Sequence, residues 1–270
     1  MALRQILRVS VLVALGGFAA YRGSEGVMQA RMLEVDRIVV QGNARMDAGE
    51  VMAVLDGLRG ENIVLTDLEA WRRRLMASPW VREAELRRRL PSTIEVFMAE
   101  RAPMAIGRID GNLYLVDDHG VVIDSYGPQY ADLDLPIVDG LTVAPAEPGS
   151  DAPRADEVRA ALAAQVIASL RSEPELARRL SQLDVTDRYN VSLILADDQA
   201  VIHVGHERFL PRLKSYVELA AALRERVPDI EHVDLRFDDR IYVRPARASA
   251  SNRSRATAAS LRRPSPAGRR

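Results

Sequence analysis

The stretch from Ser78 to Pro103 limits most strongly what this chain can fold into. Two runs with strand character flank a basic turn that ends at Leu90-Pro91. Proline cannot donate to a strand ladder, so Pro91 marks a strand end. The run after it alternates Ile94, Val96 and Met98 with Thr93, Glu95 and Phe97. This period of two predicts a β-hairpin whose second strand has one buried face.

The residues before the hairpin predict one more strand and two helices. A strand is predicted from Val35 to Gly42, and Asp47 is placed to cap the first helix. Thr66 with Glu69 three residues later has the pattern of a capping box for the second helix. The order strand, helix, helix, strand, strand predicts an α+β domain over residues 35–103, in which the two helices cover one apolar sheet face.

The N-terminus carries a candidate membrane anchor. Arg4 and Arg8 precede thirteen uncharged residues, 9–21. A helix of that length spans ~20 Å, short of a hydrocarbon core of ~30 Å, so a span needs Leu3, Ile6 and Leu7 as well. We expect residues 1–8 to be cytoplasmic and 9–30 to form a single transmembrane helix with a short stalk. A cleaved signal peptide is the alternative.

The second half predicts a mixed α/β domain over residues 104–244. Short strands are expected between 104 and 140, then a proline-rich loop at 142–155, two helices, and three further strands. A helix from Leu210 to Arg226 follows, and Pro228 ends it. The last two strands, His232 to Phe237 and Arg240 to Val243, are predicted to meet across Asp238-Asp239.

Charge is distributed unevenly along the chain. The net charge is −1, and the eight arginines from Arg244 onward, with no acid among them, leave −9 for the preceding residues. Residues 245–270 are rich in Arg, Ser and Ala and are predicted to be a disordered basic tail. The tail has no interleaved aromatic residues, so nucleic acid is not the expected partner. The absence of cysteine excludes disulfides and thiolate metal sites.

Known catalytic motifs are absent from the sequence. It contains no phosphate-binding loop, no GxSxG and no HExxH. His203 and His206 are three apart on a predicted strand, where their rings would diverge instead of sharing a metal. The acidic pairs Asp197-Asp198 and Asp238-Asp239 fall on predicted turns, where solvation is the expected state. We therefore expect no enzymatic activity, cofactor, metal or small-molecule substrate.

Several short motifs, in order, resemble those of the FtsQ/DivIB family of bacterial cell-division proteins. The resemblance covers roughly residues 1–245 and implies a POTRA module of βααββ order followed by the family's C-terminal β domain. The residues that carry it are Val40, Gly42 and Asn43, Pro79-Trp80-Val81, Arg89-Leu90-Pro91, Glu100-Arg101-Ala102-Pro103, Leu115-Val116-Asp117, Gly120, Leu135-Pro136, Gly140, and Val233-Asp234-Leu235-Arg236.

The resemblance implies a division scaffold in the inner membrane. Its bulk would lie in the periplasm, concentrated at the septum, and it would bind an FtsB/FtsL-like complex and other septal proteins. Strand addition at a sheet edge is the physical route. The expected partner-binding residues are Phe237, Arg240, Ile241, Tyr242, Val243 and His206.

Two positions depart from the family pattern, and two other functions stay open. His206 stands where some relatives have an arginine that contacts an acidic group of FtsB, and Arg244-Pro245 lacks an aromatic residue seen in some relatives.

The alternative functions are a POTRA-bearing outer-membrane assembly or secretion factor, which needs tandem modules or a barrel, and a periplasmic cell-wall enzyme, which needs a nucleophile or a metal site.

Overall fold

A computed structural model describes residues 31–143, 153–237 and 240–246. The predicted transmembrane helix, most of the proline-rich loop, Asp238-Asp239 and the basic tail from 247 onward lie outside these ranges. Pro245, which was predicted to begin the disordered tail, is instead the last residue of a strand. Within the described ranges, each helix is too short or too polar to qualify as a membrane span. The chain forms two compact units. Among the described residues, the first comprises 31–104, 113–126, 143 and 153–157, and the second comprises 105–112, 127–142, 158–237 and 240–246.

The first unit contains the predicted hairpin and the strand that precedes it. Strand β1 (Arg37–Gln41), helices α1 (Ala48–Val54) and α2 (Leu68–Met76), and strands β2 (Val81–Arg89) and β3 (Thr93–Glu100) follow one another. Their order in the sheet is β1-β3-β2, with β3 parallel to β1 and antiparallel to β2. The predicted βααββ order and the hairpin are therefore confirmed.

The buried face of this sheet packs on the two helices, as the alternation predicts. Ile94, Val96 and Met98 of β3 lie in one core with Trp71 and Leu75 of α2. The capping box assigned to Thr66 is wrong. Asp67 caps α2 through its carboxylate, which accepts the N–H groups of Glu69 and Ala70. Thr66 instead donates its hydroxyl to the Asn62 carbonyl at 2.6 Å.

Two of the short motifs hold the end of β1 against the end of β3. The Glu100 carboxylate accepts the backbone N–H groups of Ala44, Arg45 and Met46 at 2.8–2.9 Å. Gly42 has φ +90°, and a Cβ there would lie 1.9 Å from the Met98 carbonyl oxygen, so no larger residue fits. These motif residues therefore stabilise the turn that leads into α1.

A buried ion pair follows this turn in the same unit. Arg101 Nη1 lies 2.8 Å from Asp117 Oδ2, and the Asp117 side chain is almost fully buried. The other oxygen of Asp117 accepts the N–H groups of His119 and Val121. The carboxylate thus orders the turn between strands β5 (Asn112–Val116) and β6 (Val122–Ser125), which pair antiparallel.

The second unit is a mixed sheet with helices. Its elements are β4 (Ala105–Ile109), β7 (Ile137–Asp139), α3 (Glu157–Leu170), α4 (Pro174–Arg179), β8 (Leu180–Asp184), β9 (Val191–Leu195), β10 (Asp198–Gly205), α5 (Phe209–Arg226), β11 (Ile230–Asp234) and β12 (Tyr242–Pro245). The strands of this unit have the order β12-β11-β10-β9-β8-β7-β4. The α+β fold class expected from the sequence agrees with this architecture.

Helix α5 connects two parallel neighbours, β10 and β11. Leu213 and Tyr216 of α5 are fully buried, and Asp198 at the start of β10 is buried too. Asp198 Oδ2 accepts the Tyr216 hydroxyl at 2.5 Å and lies 2.7 Å from Arg224 Nη2. The prediction that both acids of the Asp197-Asp198 turn are solvated is therefore wrong for Asp198. Asp197 is exposed, as predicted, and pairs with Arg179.

The last two strands differ from the prediction in their bounds. β11 begins two residues earlier than expected and ends at Asp234, while β12 begins only at Tyr242. In the antiparallel register Asp234 pairs with Tyr242. Phe237, Arg240 and Ile241 therefore belong to the connection between the strands, which is longer than a tight hairpin turn.

Replacing Glu100 with Ala should destabilise the first unit. The change leaves three N–H groups without their charged acceptor, and we expect a loss of about 1–3 kcal/mol in the free energy of unfolding. Urea unfolding followed by circular dichroism measures it. Glu85→Ala is the matched control, because it removes an ion pair with Arg87 that is exposed on both sides and should cost much less than Glu100→Ala. Equal effects of the two changes would contradict the role assigned to Glu100.

Candidate functional site

Strand β12 lies at one end of the sheet order and pairs with β11. Tyr242 is opposite Asp234, Val243 is opposite Val233, and Arg244 is opposite His232. The second backbone edge of a terminal strand carries N–H and C=O groups outside the ladder. Pro245 closes the strand and has no N–H to offer. The usable edge is therefore short, at residues 242–244.

Two exposed aromatic rings lie beside this edge. Phe237 and Tyr242 are 53% and 51% exposed, and their ring centroids are 5.2 Å apart in an edge-to-face arrangement. Such a pair stabilises itself while leaving apolar surface in water. Phe237 is therefore not buried in the core of the domain.

A groove of about 480 Å³ runs between the β11–β12 connection and α5. Its apolar lining consists of Pro211, Leu219, Leu223, Leu235, Phe237 and Ile241, and its basic lining consists of Arg208, Arg212 and Arg240. Arg212 donates to the carbonyl oxygens of Val204, Glu207 and Arg236. It thereby ties α5 to the backbone from which Phe237 extends.

The opposite face of the same strands forms a smaller polar cleft of about 250 Å³. His203 Nε2 lies 3.1 Å from His232 Nδ1, and the ring planes differ by only 9°. The ring centroids are 5.4 Å apart, which equals the 3.1 Å between the two nitrogens plus the centroid-to-nitrogen distance within each ring. The rings therefore meet end to end through a hydrogen bond and do not stack. Burial lowers the pKa of His203, and the nearby His232 lowers it further.

Salt bridges hold the charged residues around this cleft. Arg236 donates to both carboxylate oxygens of Asp234, and this hydrogen bonding lowers the pKa of Asp234. Arg244 Nε lies 3.4 Å from Glu231 Oε2. The pairing of His203 with His232 was missed from the sequence, because β10 and β11 become neighbours only through the α5 connection. Two histidines 29 residues apart carry no local signal.

The predicted partner-binding residues fall into two groups. Phe237, Arg240 and Ile241 line the groove, while Tyr242 and Val243 line the polar cleft. His206 instead lies beyond the end of β10, exposed, with its ring edge-on to Tyr189 at 6.3 Å. In the described ranges, His, Asp and Glu side chains do not gather in groups of three that could hold a metal ion.

The comparisons with known proteins agree with the motifs. The POTRA domain, FtsQ-type, matches residues 33–101, and the family described as Cell division protein FtsQ/DivIB, C-terminal, matches residues 105–236. The resemblance read from the short motifs is thus confirmed over both halves of the chain.

Relatives named Cell division protein FtsQ align over between about half and nine-tenths of the chain. The protein of Koribacter versatilis is 28% identical over 89% of this chain and 69% of its own length. The protein of a Geobacter species is 24% identical over 84% and 82%, respectively. An Anaeromyxobacter relative is 35% identical over 49% of this chain and 44% of its own length. The chain therefore belongs to the FtsQ/DivIB family of cell-division proteins.

Proposed function

We propose that this chain is a non-catalytic, membrane-anchored scaffold of the division septum that binds an FtsB/FtsL-like complex by strand addition at β12. A cell-division role follows from the family. The observation that carries the finer proposal is the position of β12 at the end of the sheet, beside the exposed Phe237 and Tyr242.

Strand addition suits this edge because backbone and side chains can act together. Backbone groups of residues 242–244 would pair with an extended partner segment, and backbone pairing by itself is indifferent to sequence. Selectivity would come from the two faces of the incoming strand, since alternate side chains point to opposite sides. One set would reach the groove beside α5, and the other set would reach the polar cleft.

The linings of the two sides predict the chemistry of the partner strand. The groove offers Leu219, Leu223 and Ile241, so an apolar or aromatic side chain would fill it. Arg240 is exposed at the same groove, and an acidic residue next to that apolar one would complement it. Exposed pairs of this kind contribute more to specificity than to affinity.

The remaining parts of the proposal concern place and topology. Residues 9–21, preceded by Arg4 and Arg8, would anchor the chain in the inner membrane as a single-pass type II protein with its bulk in the periplasm. The POTRA domain at 35–103 and the C-terminal domain at 104–244 would then be presented to other septal proteins.

The double change Phe237→Ala and Tyr242→Asp should abolish co-purification of an FtsB/FtsL-like complex. It removes the apolar anchor and adds a charge at the docking edge, where the incoming backbone would exclude water. Because both rings are exposed, circular dichroism and the melting temperature should stay nearly unchanged. Val158→Asp is the matched control, since Val158 is an exposed apolar residue of α3. Undiminished binding by the double variant would place the interface elsewhere.

Leu219→Asp tests whether the groove is part of the same interface. Burying a leucine side chain contributes about 1.5–3 kcal/mol, so we expect the partner affinity to fall by about tenfold or more. Titration calorimetry with a partner peptide measures the change. Ala221→Asp, on an exposed position of α5 that does not line the groove, should leave affinity unchanged. Equal affinities of the two variants would confine the interface to the strand edge.

A further inference from the structure

Four exposed apolar side chains mark one end of the first unit. Met32, Val64, Leu65 and Leu90 are between 43% and 75% exposed, and they come from three separate segments of the chain. Single exposed apolar residues are ordinary, whereas a contiguous group of them marks an interaction surface. We call these four residues the apolar tip.

Backbone contacts bring the first two segments together. Glu34 and Asn62 form an antiparallel bridge, and the Ile63 N–H donates to the Leu33 carbonyl at 2.7 Å. Met32 and Val64 each lie two residues from this bridge, and Leu65 is next along the chain. The two segments therefore bring their exposed apolar residues to the same end of the unit.

Arg88 and Ser92 join the third segment to the other two. Arg88 Nε donates to the Ile63 carbonyl at 2.7 Å, and its Nη2 donates to the Thr66 carbonyl at 2.5 Å. The Ser92 carbonyl accepts the N–H groups of Asp36 and Arg37. Leu90 lies between these two tie points in the β2–β3 turn, so it belongs to the same end of the unit.

The chain enters the first unit at this end. Met32 begins the tip, and only ten residues, 22–31, separate Met32 from the uncharged stretch 9–21. Ten residues reach at most ~33–36 Å when fully extended. If residues 9–21 are anchored in a bilayer, the tip is held close to its surface, where even a weak contact is favoured by a high effective concentration.

We propose that the apolar tip inserts into the interfacial layer of the membrane in which the chain is anchored. Met32, Leu65 and Leu90 would enter the boundary between headgroups and acyl chains, where apolar side chains leave water. Exposed charges of both signs surround them, Arg37 and Arg89 with Glu34 and Asp36. Apolar insertion, and not the recognition of anionic lipid, is therefore the mechanism.

This inference rests on the anchoring part of the proposed function and not on the binding of an FtsB/FtsL-like complex. If the tip inserts, the first unit takes a preferred orientation relative to the bilayer. The membrane contact would hold one end of the first unit against the bilayer and so limit how far the unit can rotate relative to the membrane.

The absence of cysteine allows a direct test in the full-length chain. Leu65→Cys and Leu90→Cys, each labelled with an environment-sensitive fluorophore, are reconstituted in phosphatidylcholine vesicles. We expect a blue-shifted emission that lipids carrying a headgroup nitroxide quench, with the same result when anionic lipid is added. Ala44→Cys is the matched control, because Ala44 is exposed at the opposite end of the sheet beside Glu100. Its emission should be neither shifted nor quenched.

Three results would overturn the proposal. The tip labels could behave like the Ala44 label although the chain floats with the vesicles, which would refute insertion alone. The chain could fail to float, which would refute the anchor and the inference together. The labels could be shielded equally in detergent, in a species with twice the mass of the chain, which would identify a second copy as the occupant. Co-purification of an FtsB/FtsL-like complex, measured separately, tests the other part of the proposed function.

Discussion

The buried carboxylate of Asp198 is the contact on which the candidate site depends most. It accepts the hydroxyl of Tyr216 and faces the guanidinium of Arg224, so that two turns of α5 are attached to the first residue of β10. Burial and the hydrogen bond to this carboxylate raise the pKa of Tyr216, which keeps the phenol a donor. With α5 placed in this way, β11 runs parallel to β10, and β12 returns antiparallel as the last strand.

Two turns of the first unit are stabilised in the same way. An acidic side chain accepts backbone N–H groups that would otherwise lack partners, as Glu100 does after β1 and Asp117 does between β5 and β6. Glycines with positive φ allow the backbone approach that such turns need, at Gly42 and at Gly140, where a Cβ would lie 2.4 Å from the Thr186 nitrogen. Many motif residues shared with the family are therefore explained by folding and not by partner contact.

The motif residues of β11 also stabilise the fold. The motif Val233-Asp234-Leu235-Arg236 builds β11 and its exit, with Val233 and Leu235 buried and Asp234 paired to Arg236. In the described part of the chain, the surfaces that we propose for partners are the edge of β12, the groove beside α5 and the apolar tip of the first unit. Each combines exposed apolar side chains with backbone or charge that a different kind of partner would complement.

The sequence by itself determined the elements and their order. Alternation in β3, the proline at the β2–β3 turn and the apolar stripe of α5 are local patterns, and each element occurs within a few residues of its prediction. Local patterns were less accurate where neighbouring side chains compete. Asp67 replaced Thr66 as the cap of α2, and β12 begins two residues after the predicted start.

Only the tertiary structure decided which strands are neighbours and what each residue faces. The burial of Asp198, the contact between His203 and His232, and the grouping of Met32, Val64, Leu65 and Leu90 join residues that are far apart in the chain. Their pairing follows from backbone registers set by long connections, which no local pattern encodes. The last strand, 240–243, is expected from the sequence to be a sheet edge, and β12 lies at the end of the sheet order. The strand pattern does not encode that position, because it depends on how the whole sheet is ordered.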